Sequence, residues 1–197
     1  VNRKLKLLAV AAALAFAGSA IAQQAVIQSV NNVSNRADTY SGAAKNFTLA
    51  ATPSDACILN GSATRTVYVT KVSISGLKTT AGLSQVLLFK RTAANTGGTA
   101  VATTEVANDT ASAAPTAAMQ HYTANPTPGT GTQIYSNYAL FQAPAGTTDG
   151  VLREIRFGDG MSQYNVLRGV AQGLAVNLDG ATLTGGVFNC TFEWIER

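Results

Sequence analysis

The 197-residue chain holds one histidine and two cysteines, and only 12% of its residues are charged, against roughly 25% in an average globular protein. The single His121 excludes any metal site built on two or more histidines, and a Ser-His-Asp system would have to run through that one position. Metal binding through cysteine is poorly supported as well. Neither Cys57 nor Cys190 has a second cysteine nearby, and His121 lies 64 and 69 positions from them. No G-x-S-x-G elbow, phosphate loop, G-x-G-x-x-G after a strand or calcium-binding EF-hand loop occurs. Gly158-Asp159-Gly160 has no acidic residue following at calcium-loop spacing and reads as a hairpin turn. The ten Asp and Glu residues are scattered, mostly singly, without the pairing a glycosidase needs. The chain is therefore expected to be no enzyme and to take no cofactor, with no catalytic, cofactor-binding or metal-binding residue assigned.

Charge is also unevenly placed. The formal net charge is +4, but Arg3, Lys4 and Lys6 fall in the first six residues, and beyond Ala22 the chain carries 11 basic and 10 acidic groups. The basic pI of about 9.2 is thus mostly a property of the N-terminus and is no argument for nucleic acid binding. The positive start, the uncharged 12-residue run Leu7 to Gly18 and the small residues Ala20 and Ala22 together predict a helical signal peptide over 1–22, cleaved after Ala22. That run is too short for a stable membrane anchor, which needs about 20 residues. The product is expected to be exported, to the periplasm or beyond the cell. In that oxidising setting Cys57 and Cys190 are expected to form one disulfide joining an early strand to the last.

What is abundant is β-type sequence. Residues 23–45 are polar and read as a tether or an irregular first strand around Ala25-Val26-Ile27, and residues 46–197 as the folded domain. Thr64 to Ser75 is rich in β-branched residues, and its apolar parity flips near Thr70-Lys71, which predicts a bulge or a strand that changes sheets. Leu83 to Arg91, Ile134 to Gln142 and Val151 to Phe157 are further strand candidates. The clearest period-2 alternation comes last: Leu174, Val176 and Leu178, then Phe188, Cys190, Phe192 and Trp194. These two strands are expected to pair with each other through the turn residues between them, with Val176, Leu178, Phe188, Phe192 and Trp194 in the core. Thr92 to Thr132 is an Ala/Thr/Gly-rich excursion in which short strands are expected near Val101 and Met119 to Tyr122, joined by mobile turns. Together with strand edges it is expected to carry the interaction surface, and to be largely dispensable for the fold.

No segment after residue 22 shows sustained helical periodicity and no fixed-period repeat occurs. The fold class that follows is all-β: a single antiparallel β-sandwich, jelly-roll-like, after the signal peptide helix. Tyr122, Tyr135 and Tyr138 are the candidate ligand-stacking residues, although Tyr135 and Tyr138 point to opposite faces of an ideal strand.

Two stretches, Lys90-Arg91-Thr92-Ala93-Ala94-Asn95-Thr96-Gly97-Gly98-Thr99 with Tyr122 to Thr127, and Leu167 to Leu178, together with the ending Phe192-Glu193-Trp194, resemble small β-rich accessory proteins of tailed phages and prophages. The resemblance spans roughly Phe47 to Glu196 and implies a virion-associated or surface-displayed protein. The expected function is non-enzymatic: an exported structural or interaction β-sandwich acting by assembly or binding. Its partner would be protein, through self-assembly or a virion or surface partner. The alternative is a carbohydrate- or glycan-binding module; no nucleic acid and no stable membrane anchor are expected.

Overall fold

The computed structural model of the chain describes residues 37–49, 54–143, 152–160, 162–180 and 186–197. The signal peptide expected over 1–22, the Ala25-Val26-Ile27 run and the stretch 181–185 lie outside the described residues. Twelve strands are present among those described: β1 (Asp38–Thr48), β2 (Asp55–Asn60), β3 (Thr66–Leu77), β4 (Gly82–Arg91), β5 (Thr99–Ala102), β6 (Glu105–Ala107), β7 (Ala118–Ala124), β8 (Gly131–Phe141), β9 (Arg153–Arg156), β10 (Asn165–Arg168), β11 (Gly173–Asn177) and β12 (Val187–Glu196). They build two antiparallel sheets packed face to face. The first has the order β10-β3-β12-β1-β6, with β9 also on β3; the second has the order β5-β7-β2-β11-β4-β8. The all-β sandwich read from the sequence is the fold of the molecule.

Alternation places the core. Along β12, Phe188, Cys190, Phe192 and Trp194 turn inward and are all buried, and β11 answers from the opposite sheet with Leu174 and Val176. The predicted pairing of these two strands is not what forms. β12 lies between β3 and β1, whereas β11 lies between β2 and β4. Period-2 patterning assigns a strand to a face, and two strands facing one core from opposite sheets carry the same pattern as two neighbours.

The parity flip in β3 is a bulge, and the strand stays in its sheet. The register shifts where Lys71 pairs with Glu193 and Val69 with Trp194, leaving Thr70 as the extra residue. Its hydroxyl donates to the Glu193 carbonyl (3.0 Å), and its own carbonyl accepts the Phe157 amide (2.8 Å). Val67 and Val69 before it and Val72 and Ile74 after it consequently all reach the core.

The segment 23–45 contributes more than a tether. β1 begins at Asp38 and buries Tyr40 and Ala44, and a second bulge lets Phe47 turn inward. At that bulge Asn46 adopts a φ of 52°, a left-handed conformation that Asn tolerates better than most residues, and its amide donates to Asn189 Oδ1.

The excursion 92–132 is part of the fold. Strands appear where expected, at Val101 and at Met119 to Tyr122, but β5 and β7 extend the second sheet while β6 pairs with β1 in the first. The segment thereby closes one side of the sandwich and buries Ala117, Met119 and Tyr122. Its place in both sheets argues against its being dispensable. Gly158-Asp159-Gly160 likewise does not close a hairpin, because β9 and β10 both pair with β3, one after the other along the same edge.

Cys57 on β2 and Cys190 on β12 are joined by a disulfide, with Cα atoms 6.8 Å apart and both residues fully buried. The bond therefore ties one sheet to the other through the core. Bonds of this kind persist in oxidising environments, and among the described residues no helix is long and apolar enough to cross a membrane.

Candidate functional site

The molecule holds two clusters of buried charge, the kind of place where chemistry is usually found. On the outer face of the second sheet, the Asp55 carboxylate accepts Arg91 Nη2 (2.6 Å) and Nε (3.0 Å), Asn177 Nδ2 (2.8 Å) and Asn95 Nδ2 (2.9 Å). The guanidinium lies across the Phe89 ring, 4.4 Å from its centre, and Nη1 donates to the Gly129 carbonyl. Asn95 in turn accepts the Gly129 amide. The charge is neutralised and its lone pairs are occupied, so the cluster fastens the loop after β4 and the approach to β8 onto the sheet. It offers nothing to a substrate.

Glu196 has the same character. Its carboxylate accepts the backbone amides of Thr116 and Ala117, the Thr116 hydroxyl and Trp194 Nε1, all within 3.0 Å. Burial pushes this carboxyl up, but the bonds from Ala117, Trp194 and Thr116 outweigh it and hold the group below the usual glutamate range. No group of three His, Cys, Asp or Glu side chains able to hold a metal exists among the described residues.

His121 is neither solvent-facing nor at a sheet edge. It sits on β7 between β5 and β2, opposite Cys57, half-buried and packed on the Phe47 ring at 4.4 Å. Burial lowers its basicity, and its Nδ1 is buried without a hydrogen-bond partner among the described residues. The side chain fills core space.

The three tyrosines do not converge. Tyr122 is buried on β7, where it forms a small outer-face cluster with Ile58 and Ala175 and its hydroxyl accepts Gln120 Nε2. Tyr138 is exposed on β8, four strands away, which at about 4.8 Å per strand is roughly 19 Å. Tyr135 turns the other way and packs on the core. A shared stacking patch fails because strand order separates Tyr122 from Tyr138 and residue parity separates Tyr135 from Tyr138.

The feature that stands out is the edge made by β8. It is 11 residues long and among the described residues pairs only with β4, whereas the other edge strands, β5, β6, β9 and β10, are three or four residues each. Edges are normally blunted by shortness, charge or proline, and β9 and β10 carry Arg153, Glu154, Arg156 and Arg168. β8 has neither charge nor proline, and no Lys, Arg, Asp or Glu occurs anywhere from Thr110 to Thr148. Its exposed side chains are uncharged, and among them are the large apolar Ile134, Tyr138 at 57% exposure and Leu140, with Leu83 of β4 at 65% directly opposite Leu140. The uncharged stretch is visible in the sequence; that it forms an edge is not.

The backbone of this edge is defined by Tyr138. Its carbonyl accepts Arg153 Nη2 (2.8 Å) and its amide donates to Asn137 Oδ1 (2.8 Å), so both groups point away from β4. By the two-residue period of a strand, Ser136 and Leu140 present theirs to the same open side. In comparisons with known proteins, the chain matches no family model, no curated protein and no solved structure.

Proposed function

We propose that the protein is a non-enzymatic structural or interaction module, exported behind a signal peptide cleaved after Ala22, that acts by assembly or binding through its sheet edge, on a cell surface or as an accessory of a virion. The observation that carries this reading is the long, uncharged edge of β8, with Ile134, Tyr138 and Leu140 exposed along it, beside edges that are all short. An exposed edge of that kind is a template for another chain. The inter-sheet disulfide supports export, since such bonds persist in oxidising compartments. A glycan-binding module would call for a flat pair of exposed rings. Among the described residues, the exposed Tyr164 meets the half-buried Tyr68 edge to face at 81°.

The test is to express the full chain with export, sequence the N-terminus of the secreted product and measure its mass by light scattering across a concentration series. Gln23 at the N-terminus together with a concentration-dependent oligomer is the expected result. A species that stays monomeric throughout and binds no surface partner would remove the assembly reading, and intact Val1 on soluble extracellular protein would remove the cleavage.

A further inference from the structure

Three residues of β8, Ser136, Tyr138 and Leu140, turn their amide and carbonyl groups to the open side, giving six backbone groups in a row. Among the described residues only the central pair is occupied, and by side chains of the same molecule: Asn137 Oδ1 on the Tyr138 amide and Arg153 Nη2 on the Tyr138 carbonyl. We infer that β8 is the dimerisation edge for a second copy of this chain, pairing antiparallel with its own counterpart about a two-fold axis at Tyr138, and that Arg153 and Asn137 are displaceable caps holding that place in the free molecule. This rests on the reading of the protein as an assembling module and specifies its partner and its contact.

Self-pairing is favoured over a foreign strand by three features. The strand carries no charge, so once Arg153 has swung off the Tyr138 carbonyl a copy of the strand meets no like-charge repulsion in the antiparallel register, and Tyr138 opposes Tyr138 while Ser136 opposes Leu140 on both sides of the axis. That register satisfies all six edge groups at once. It also brings two copies of the exposed patch formed by Leu83, Tyr138 and Leu140 next to one another on a single sheet face, covering apolar surface that is otherwise in water. The resting cap is itself imperfect. Arg153 Nε is buried with no partner among the described residues, so releasing the arginine to solvent relieves an unmet donor while the incoming strand takes over the Tyr138 carbonyl.

The experiment uses the full chain as exported, with four variants. Ser136→Pro removes an edge amide that makes no bond to β4, so the monomer should keep its strand content while the dimer dissociates at concentrations roughly tenfold higher than wild type tolerates. Arg153→Ala should shift the equilibrium the other way, toward the dimer. Tyr138→Cys should give a disulfide-linked dimer under oxidising conditions, because directly opposed residues of a hydrogen-bonded antiparallel pair lie about 5.5 Å apart, within disulfide reach. Leu83→Cys, equally exposed but one strand back from the axis, should not. A dimer in which Tyr138→Cys fails to cross-link and Ser136→Pro changes nothing overturns the β8 contact but leaves assembly standing through another surface. Wild type and Arg153→Ala that are both monomeric at every concentration overturn the contact and the assembly reading together.

Discussion

Arg91 and Asp55, 36 residues apart in the chain, form a two-pronged ion pair on the outer face of the second sheet, with both side chains almost wholly withdrawn from water. Because Asn95, Asn177 and Gly129 saturate the remaining polar atoms, the pair acts as a clasp over β2, β4 and β11.

Removing one partner alone should be costly. Asp55→Ala leaves the guanidinium of Arg91 buried without a counter-charge, and the expected loss is about 3–5 kcal/mol. Arg91→Lys should recover little, since an ammonium cannot reproduce the two-pronged geometry. Urea unfolding of both variants measures this. Losses below about 1 kcal/mol would mean that the clasp is not what holds these loops down.

The disulfide closes 133 positions of sequence and links the sheets at the core. Replacing Cys57 and Cys190 together with Ala should lower stability by about 2–5 kcal/mol, largely because the unfolded chain regains the freedom that the bond removes. The fold itself should survive under mild conditions, with far-UV circular dichroism still of strand type. Equal unfolding midpoints for the oxidised and double-Ala proteins would contradict the assignment.

Stability should fall in two steps on acidification. His121 resists protonation in the fold because of its burial, so the stability associated with its neutral form is complete above about 6.5 and declines as the pH drops through the lower folded value, where the unfolded chain is already protonated. Glu196 is also held low, so its contribution is complete above the ordinary glutamate range of about 4.3 and is lost as the pH falls through its depressed folded value. His121→Phe should flatten the first step and Glu196→Gln the second. Thermal midpoints recorded from pH 8 to pH 3 separate the two; a His121→Phe profile that superimposes on wild type between pH 7 and pH 5 would exclude the histidine as the source.

Deleting 92–132 and joining β4 to β8 should unfold the protein. The deletion removes β5, β6 and β7, the buried Met119, and the Thr116 and Ala117 amides that satisfy Glu196. Loss of the cooperative thermal transition is the expected outcome, and a deletion product that melts like wild type would show that the excursion is an ornament after all.

Much of this architecture was legible in the amino-acid order, and the reason is that it is local. Whether Phe188, Cys190, Phe192 and Trp194 line one face depends only on the two-residue period of a strand, and the bulge at Thr70 shows as a break in that period. Two cysteines alone could pair in only one way. The start of the domain was harder to see because β1 buries Tyr40, Gly42 and Ala44, of which only the tyrosine is large enough to mark an apolar face.

Tertiary structure alone decided which strands are neighbours, and with it everything that depends on proximity. The alternation in β11 and β12 is the same whether they pair or confront each other across a core, and only the closing of both sheets around Trp194, Phe192 and Val176 selects the second arrangement. That selection parts Tyr122 from Tyr138, brings Arg91 to Asp55 and leaves β8, among the described residues, with one strand neighbour. A side chain's face is set by its own backbone, but its neighbours are set by how the whole chain buries its apolar surface at once.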